Sequence, residues 1–523
     1  MKQETITTES LIEIMNHQLQ IIDNKDNVIE QKNKTIADLQ QKLDYMIRQK
    51  FASSSEKFPS NQLSLFQDDS EIAIEEDSKD EKITYSRKKR GNKKLPPESL
   101  PHIRVEHDIK DEDKVCSCGC GLKRIKETSL KQYDIIPATF RVIDNIRFTY
   151  VCSCNCGASP VTSQLTPQAL PRHQVTPSFL ATIAVEKFED AMPLERQVKK
   201  YRQRFGVNFT TATFSNWMIK ASELRLQPLI DKLSVIQMNS GYIHADETTL
   251  QVLNEKNKKA KQKSYIWLKA SKEKYPIVLM HYSSNRNEKT AQYLFDGFSG
   301  YMQTDGYPGY NIVANTEGVT QLGCWAHARR KFADIIKSGA SDAKSKALAK
   351  ELVAQVAKLY KIEKEIKDDP PDKKKQIRED KSVLILKEIE EWCDKYFLNA
   401  HAIGGSIARA FTYLKNQFPK LSIYVEDGRL NIDNNIAENH VRPIAIGRKN
   451  WLFATSTRGA SALCNWYSVI ETAKANNIDA YAYLKYILTQ LPIYEAKQKN
   501  IDDLLPWNVE LQLRLFALLD GIY

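Results

Sequence analysis

Two aspartates close strand-like runs. Asp246 ends Tyr242-Ile243-His244-Ala245-Asp246, and Asp305 ends Tyr301-Met302-Gln303-Thr304-Asp305, just before Gly306. Carboxylates at strand ends can converge on one edge of a sheet. With a third carboxylate they can hold two divalent cations about 3.5–4 Å apart, the arrangement that activates water or a 3′-hydroxyl for attack on a phosphodiester. Oxygen donors and retained waters suit Mg2+ or Mn2+. The third carboxylate belongs on a later helix, and Asp433-Asn434-Asn435-Ile436-Ala437-Glu438 offers one. There Asp433 or Asn434 caps the helix and Glu438 lies near its first turn. Glu247 adjoins Asp246 and, as a strand neighbour, points to the other face. Glu426 and Asp427 precede Gly428 in a turn, where the backbone is less well held. Taken singly these features have plain readings too, since surface aspartates often end strands and surface helices are often capped.

Arg442, Arg448, Lys449 and Trp451 follow Glu438. Cations with an aromatic suit a DNA backbone with an unpaired base nearby. Upstream, Cys324-Trp325-Ala326-His327-Ala328-Arg329-Arg330 contains a Cys-x-x-His pair, half of a zinc site with nothing nearby in sequence to complete it. We read it as shaping the edge of the site, with His327 or Arg329 facing DNA and Arg330 beside them; a core histidine fits the string as well. Six of the nine cysteines, Cys116, Cys118, Cys120, Cys152, Cys154 and Cys156, fall in two tight groups. Such clustering reads as metal ligation rather than disulfides. A structural zinc would use four of the six, although the usual Cys-x-x-Cys spacing is absent.

The elements that position these groups can be traced along the chain. Residues 11–51, within a 1–51 coiled-coil segment, read as helical, with Met15, Ile22, Ile29, Ile36 and Leu43 recurring every seven positions as a dimerising coiled coil would require. The second seam is poor, with Ile12 and Leu19 giving way to Asp26, Asn33 and Gln40, and an amphipathic helix packed on its own chain fits as well. Residues 52–100 form a flexible charged linker, acidic then basic. Residues 101–160 carry the cysteines. Residues 161–235 are helical. There Gly206 separates a helix begun at Pro193 from one begun at Thr211, a helix-turn-helix pattern that any helical hairpin would share. Residues 236–336 read as strands at 242–246, 264–268 and 276–280, a helix near 290–298, then strands at 301–305 and 319–324, the opening of a ribonuclease-H-like core. Residues 337–429 are a helical insertion with a turn at Pro370-Pro371. Residues 430–455 complete the core, and 456–523 form a C-terminal helical tail. The fold class is thus multidomain α+β.

The chain has 523 residues, 76 Lys plus Arg against 65 Asp plus Glu, and a net charge of +11. The length exceeds what one core serves, and the basic balance favours a polyanionic partner, nucleic acid first. No apolar run approaches a bilayer span. The polar start does not resemble a signal peptide, so a cytoplasmic, nucleoid-associated protein with reduced cysteines is expected.

Several strings occur together in one order along the chain: Ser53-Ser54-Ser55-Glu56-Lys57, the cysteine groups, Pro193-Leu194-Glu195-Arg196-Gln197, His244-Ala245-Asp246-Glu247-Thr248, Asp305-Gly306-Tyr307, the Cys324–Arg330 string, Asp433-Asn434-Asn435, Gly447-Arg448-Lys449-Asn450-Trp451-Leu452-Phe453, Glu471-Thr472-Ala473-Lys474 and Leu504-Leu505-Pro506-Trp507. In these the chain resembles the transposases of the insertion sequence 66 family. The resemblance implies a DDE-type enzyme with a ribonuclease-H-like core, a helical insertion between the second Asp and the Glu, and a zinc-binding segment. Its catalytic residues carry over to Asp246, Asp305 and Glu438. It implies metal-dependent cleavage and strand transfer on double-stranded DNA, at terminal inverted repeats and a target; the heptad seam adds the expectation of a homodimer or higher oligomer, with or without accessory proteins. The family usually has Arg directly after the Glu, whereas Asn439-His440 stand here. The rival readings are a catalytically silent, zinc-containing DNA-binding regulator and a nuclease that does not transpose.

Overall fold

The computed structural model describes residues 139–151, 159–259, 261–338 and 342–508, together with Ser117, Cys120 and Ser153. The coiled coil, the linker and every cysteine of the two groups except Cys120 lie outside the described residues. A two-strand ladder, β1 (Thr149–Tyr150) and β2 (Val161–Thr162), leads in. Four helices follow: α1 (Pro177–Phe188), α2 (Leu194–Phe205), α3 (Thr211–Ala221) and α4 (Gln227–Met238). The α2–α3 turn forms for local reasons. Gly206 takes φ 69° at the end of α2, and the Thr210 side chain accepts from the Thr213 N–H at the start of α3.

The central sheet is built from β3 (Tyr242–Asn254), β4 (Lys263–Ser271), β5 (Ile277–Ser283), β6 (Gly300–Gln303) and β7 (Val319–Leu322), with helix α5 (Glu288–Leu294) between β5 and β6. Its order is β5-β4-β3-β6-β7. The first three strands are antiparallel; β6 and β7 run parallel to β3 and to each other. The five strands stand close to where the sequence puts them, but β3 is much longer. Asp246 therefore lies in mid-strand, opposite Leu268 of β4, rather than at a strand end. Period-two patterning continues through Leu250 and Val252, both buried, because a helical layer covers that face as far as the hairpin.

Beyond β7 come α6 (Trp325–Lys337), α7 (Ala343–Glu365), α8 (Val383–Ile403) and α9 (Gly405–Ser422). The turn expected at Pro370-Pro371 falls just before it, at 366–369, and Pro371 opens a short helix, Pro371–Ile377, as proline's fixed φ favours. These helices share a core of their own around Trp325, Phe332, Phe411 and Leu414, which reaches the sheet at Tyr242 and Leu322. The chain then returns through α10 (Asn435–Trp451), the short β8 (Ala454–Ser456), α11 (Thr457–Ala475) and α12 (Ala480–Ala496). The strand β8 pairs in parallel with the far end of β3, Ala454 opposite Val252.

The last two helices are not an appendage. They share one apolar cluster with α1–α4 and one face of the sheet, including Leu180, Phe214, Leu268, Trp466 and Ile487. The helix α11 also covers the outer edge of β5. Thr472 Oγ1 accepts from Val278 N–H (3.0 Å) and donates to Val278 C=O (2.9 Å), and Ser468 Oγ accepts from Met280 N–H (2.7 Å). Side-chain hydroxyls thus satisfy an edge that would otherwise invite another strand. Among the described residues no helix is long and apolar enough to cross a membrane.

Candidate active site

On one side β3 is paired with β4 through this region. On the other, β6 pairs with Tyr242–His244 and β8 with Val252 and Asn254, so neither strand reaches residues 245–251. The N-terminus of α10 fills this interval. Asn434, fully buried, donates from Nδ2 to Ala245 C=O (2.8 Å), and its Oδ1 lies 3.0 Å from His244 Nδ1. The Asn431 amide meets His244 Nε2 at 3.2 Å. Burial pushes His244 down to about 4, so the ring is neutral. The two amides then assign its proton to Nδ1, donating to Asn434, with Nε2 accepting from Asn431. The helix that carries Glu438 is thereby fastened to the strand that carries Asp246.

Asp305 lies two residues past the end of β6. Its Oδ1 accepts from Tyr307 N–H (2.9 Å), and its backbone carbonyl accepts from Tyr413 of α9 (2.8 Å). Gly306 has φ 87°, and a Cβ there would meet Tyr413 Oη at 3.0 Å, so only glycine fits this turn comfortably. The helical insertion therefore braces the loop. It braces α10 as well, since Tyr360 of α7 donates to Asp433 Oδ2 (2.9 Å) while Asp433 Oδ1 accepts from Asn435 N–H (3.1 Å).

The three carboxylates are electrostatic neighbours. Burial, and then the negative charges of Glu247, Asp305 and Glu438, hold the Asp246 carboxyl well above the usual range, against one hydrogen bond from Glu247 N–H. Glu247 points to the opposite face, where Tyr310 donates to its Oε2 and Arg286 to its Oε1. Glu438 is 7 % exposed, and its Oε1 is buried without a hydrogen bond. It faces the His327 ring, Nδ1 at 3.4 Å, and the Arg330 guanidinium, Nη2 at 3.5 Å; burial lowers the His327 pKa, so the positive charge here is that of Arg330. Crowded carboxylates and an orphaned buried oxygen are what a cation would relieve, so these residues fit a divalent metal.

The sequence leaves Cys324-x-x-His327 as half a site; the structure brings Glu438 to it. One donor atom from each of the three residues lies within 4.8 Å of the others. Sulfur, imidazole and carboxylate would suit zinc. The Cys324 thiol is already engaged, accepting from Asn434 N–H at 3.3 Å, and burial pushes its pKa far up. Together with the Trp325 N–H bond to Ile432 C=O (3.2 Å), it clamps the start of α10.

The expected DNA contacts separate into different groups. Lys449 is exposed. Arg329, Arg330 and Arg442 are half-buried, with Arg330 directed at Glu438. Arg448 donates to the backbone carbonyl and hydroxyl of Thr249, so it fastens α10 to β3. Trp451 does not face solvent: it is 8 % exposed, sits in the main apolar cluster, and lies under Lys187 Nζ, 5.4 Å from the ring. A ring packed this way cannot stack on a base. The two residues after it, Leu452 and Phe453, are the exposed ones. Asn434, Asn431 and Tyr360 join the site only in the fold; in the sequence the Asp433-Asn434-Asn435 string hints at the first alone.

The site is a carboxylate cluster in a mixed sheet, beneath a helix whose last turn carries Arg448 and Lys449. Comparison with known proteins identifies the family. The family described as "Transposase IS66 family" matches residues 172–462, and its "IS66 C-terminal element" matches 468–507. The "zinc-finger binding domain of transposase IS66" matches residues 113–155, and "Transposase C of IS166 homeodomain" matches 38–105. The chain belongs to the Transposase IS66 family, a DNA-binding enzyme class that uses divalent metal. Similar proteins include the uncharacterized proteins y4qI and y4jD of Sinorhizobium fredii (strain NBRC 101917 / NGR234). The first is 30 % identical over 419 residues, covering 77 % of this chain and 75 % of the relative. The second is 28 % identical over 425 residues, covering 79 % and 81 %.

Proposed function

We propose that this transposase binds the terminal inverted repeats of its insertion sequence and catalyses strand cleavage and strand transfer at Asp246, Asp305 and Glu438. The observation that carries the reading is the fastening of α10 to β3, through the Asn434 bonds to Ala245 and His244, which brings Glu438 to Asp246; burial, then the charges of Glu247, Asp305 and Glu438, hold the Asp246 carboxyl above its usual range. The strand order, three antiparallel strands followed by two parallel ones on the far side of β3, supports a ribonuclease-H-like core. All three residues would supply oxygen ligands to a pair of Mg2+ or Mn2+ ions. When bound, such ions activate water or a 3′-hydroxyl and neutralise the attacked phosphate. Asn434, His244 and Cys324 hold α10 so that Glu438 keeps its place opposite Asp246. Tyr413 and Gly306 hold Asp305. Lys449 and the arginines of α6 and α10 would attract the DNA backbone.

The remaining assignments extend this reading. The segment 161–235, with its α2–α3 turn, would read the end sequence, and residues 1–51 would join two chains as a coiled coil. Four of the six clustered cysteines would hold a structural zinc. The protein would work in the cytoplasm, at the nucleoid, on end and target DNA. Cleavage of a labelled end duplex with Mg2+, beside a gel shift on the same DNA, tests the core claim. Asp246→Asn, Asp305→Asn and Glu438→Gln are each expected to reduce cleavage by several orders of magnitude while end binding survives. If Glu438→Gln cuts at a near wild-type rate, Glu426 is the next candidate. If the wild-type chain binds ends but never cuts, the protein is a DNA-binding regulator.

A further inference from the structure

The C-terminal end of α10 carries a feature that the carboxylate site does not use. Leu452 has φ 59° and ψ −51°, and Phe453 N–H reaches back to Trp451 C=O at 2.7 Å. This is a γ-turn of the strained hand, unusual for any residue with a side chain and costly for a branched one. The turn directs outward apolar side chains that a folded protein normally covers: Leu452 is 61 % exposed and Phe453 40 %, with Ile446, earlier on α10, at 44 %. The segment cannot relax, because it is held on both sides. Trp451 is anchored in the core, and Ala454 is paired with Val252.

The surroundings are cationic. Lys449 and Asn450 are exposed beside the turn. Past the β8 register with Val252 and Asn254 comes the β3–β4 hairpin tip, where Lys256, Lys259, Lys261 and Lys263 are all exposed. A small apolar point within a lysine-rich surface suits a duplex whose phosphates meet the lysines while a side chain enters the base stack. At 1.5 Å per residue, α10 carries the chain about 20 Å from Glu438 to Leu452. The strand gives about 20 Å from Asp246 to Val252, which pairs with Ala454 just past the turn. At 3.4 Å per base pair, that is about six base pairs of DNA.

We propose that Leu452 and Phe453 form a wedge that enters one base step of the bound duplex, about six base pairs from the phosphodiester held at the carboxylates. The proposal rests on the reading that Asp246, Asp305 and Glu438 hold that phosphodiester. The wedge opens a step so that the duplex can follow the surface between the hairpin tip and the site.

The test uses the full-length protein and a duplex of the terminal repeat found in the DNA flanking the gene. 2-Aminopurine is placed in turn at each of the ten base pairs on either side of the cut, and fluorescence is read without added divalent cation. Wild-type protein should raise the fluorescence several-fold at one or two adjacent positions about six base pairs from the cut and leave the others near baseline. The double variant Leu452→Gly, Phe453→Ser should lose that signal. Its end affinity should stay within about five-fold of wild type, and its thermal midpoint should hold or rise, since glycine relieves the positive φ. Flat fluorescence at every position with bound wild-type protein overturns the wedge, as does an undiminished signal with the variant. Either result leaves the carboxylate assignment intact. Cleavage by Asp246→Asn protein would instead remove the carboxylate assignment and the six-base-pair ruler, leaving any unstacking to be located afresh.

Discussion

The side-chain amide of Asn434 donates to the backbone carbonyl of Ala245 at 2.8 Å, tying the first residue before one helix to a strand 189 positions earlier in the chain. The same side chain accepts from His244, so one buried amide sets the spacing between Asp246 and Glu438.

Asn434→Ala should therefore act on chemistry more than on binding. It leaves the Ala245 carbonyl and the His244 N–H without partners, at a cost of about 1–3 kcal/mol each. It also frees the start of α10. Cleavage should fall about 100-fold, the size of effect a misplacement of about 1 Å produces. End binding in a gel shift should change by less than about three-fold. Asn434→Asp should not rescue cleavage, because a carboxylate has no N–H to offer Ala245. Wild-type cleavage by either variant would show that α10 is held by other contacts.

The hydroxyls on the β5 edge predict a stability effect far from the carboxylates. Thr472→Val keeps the shape but leaves Val278 N–H and C=O unpaired in the core, and should cost about 2–4 kcal/mol. Ser468→Ala should cost less, about 1–2 kcal/mol, because one N–H is exposed to the loss. Denaturant unfolding of the purified proteins reads both values. Equal midpoints for wild type and Thr472→Val would mean that water or a backbone shift replaces the hydroxyl.

Lys269 gives a pH dependence with a defined sign. It is buried on β4, donates to Leu294 C=O at 2.8 Å, and burial lowers its pKa to about 8. In the unfolded chain the value is about 10.4. Between these pH values the unfolded chain holds a proton that the folded one has released. The group's contribution to stability therefore rises as pH rises through that window, and is lost as pH falls to 8. The span is worth about 3 kcal/mol. Lys269→Met has no such group, so it should be the more stable protein at pH 7, with the gap closing towards pH 10. Denaturation at pH 7, 8.5 and 10 checks this; a constant gap would place the ammonium in contact with water.

Zinc content tests the reading of the cysteine groups. Freshly reduced protein should carry about one zinc per chain by elemental analysis. Replacing Cys116 and Cys152 together with Ser should remove it and weaken end binding, while the main thermal transition stays in place. Metal-free protein that still binds ends at full strength would reduce the segment to a finger that folds without metal.

What the sequence determined by itself was local. Pro193, Gly206 and Thr211 mark α2 and α3, with the cap one residue earlier, at Thr210, because caps and positive-φ turns depend on a few adjacent residues. The strands and the helices of 337–429 follow from period, and the expectation that Asp246, Asp305 and Glu438 act together comes from their place in recognisable strings. The tertiary structure decided what lies against each element. Periodicity shows that a face is apolar but not which distant segment covers it. Hence β3 runs on past Asp246 beneath a helical layer, and α11 serves as the cover of a sheet edge. The same limit explains Trp451 and its neighbours. The sequence marks Trp451 as the residue to meet a base, but packing against Lys187 and the main core withdraws it and leaves Leu452 and Phe453 outside. Glu438 meets His327 and Arg330 across more than a hundred residues, because the intervening helices fold into a core of their own and bring the chain back to β3.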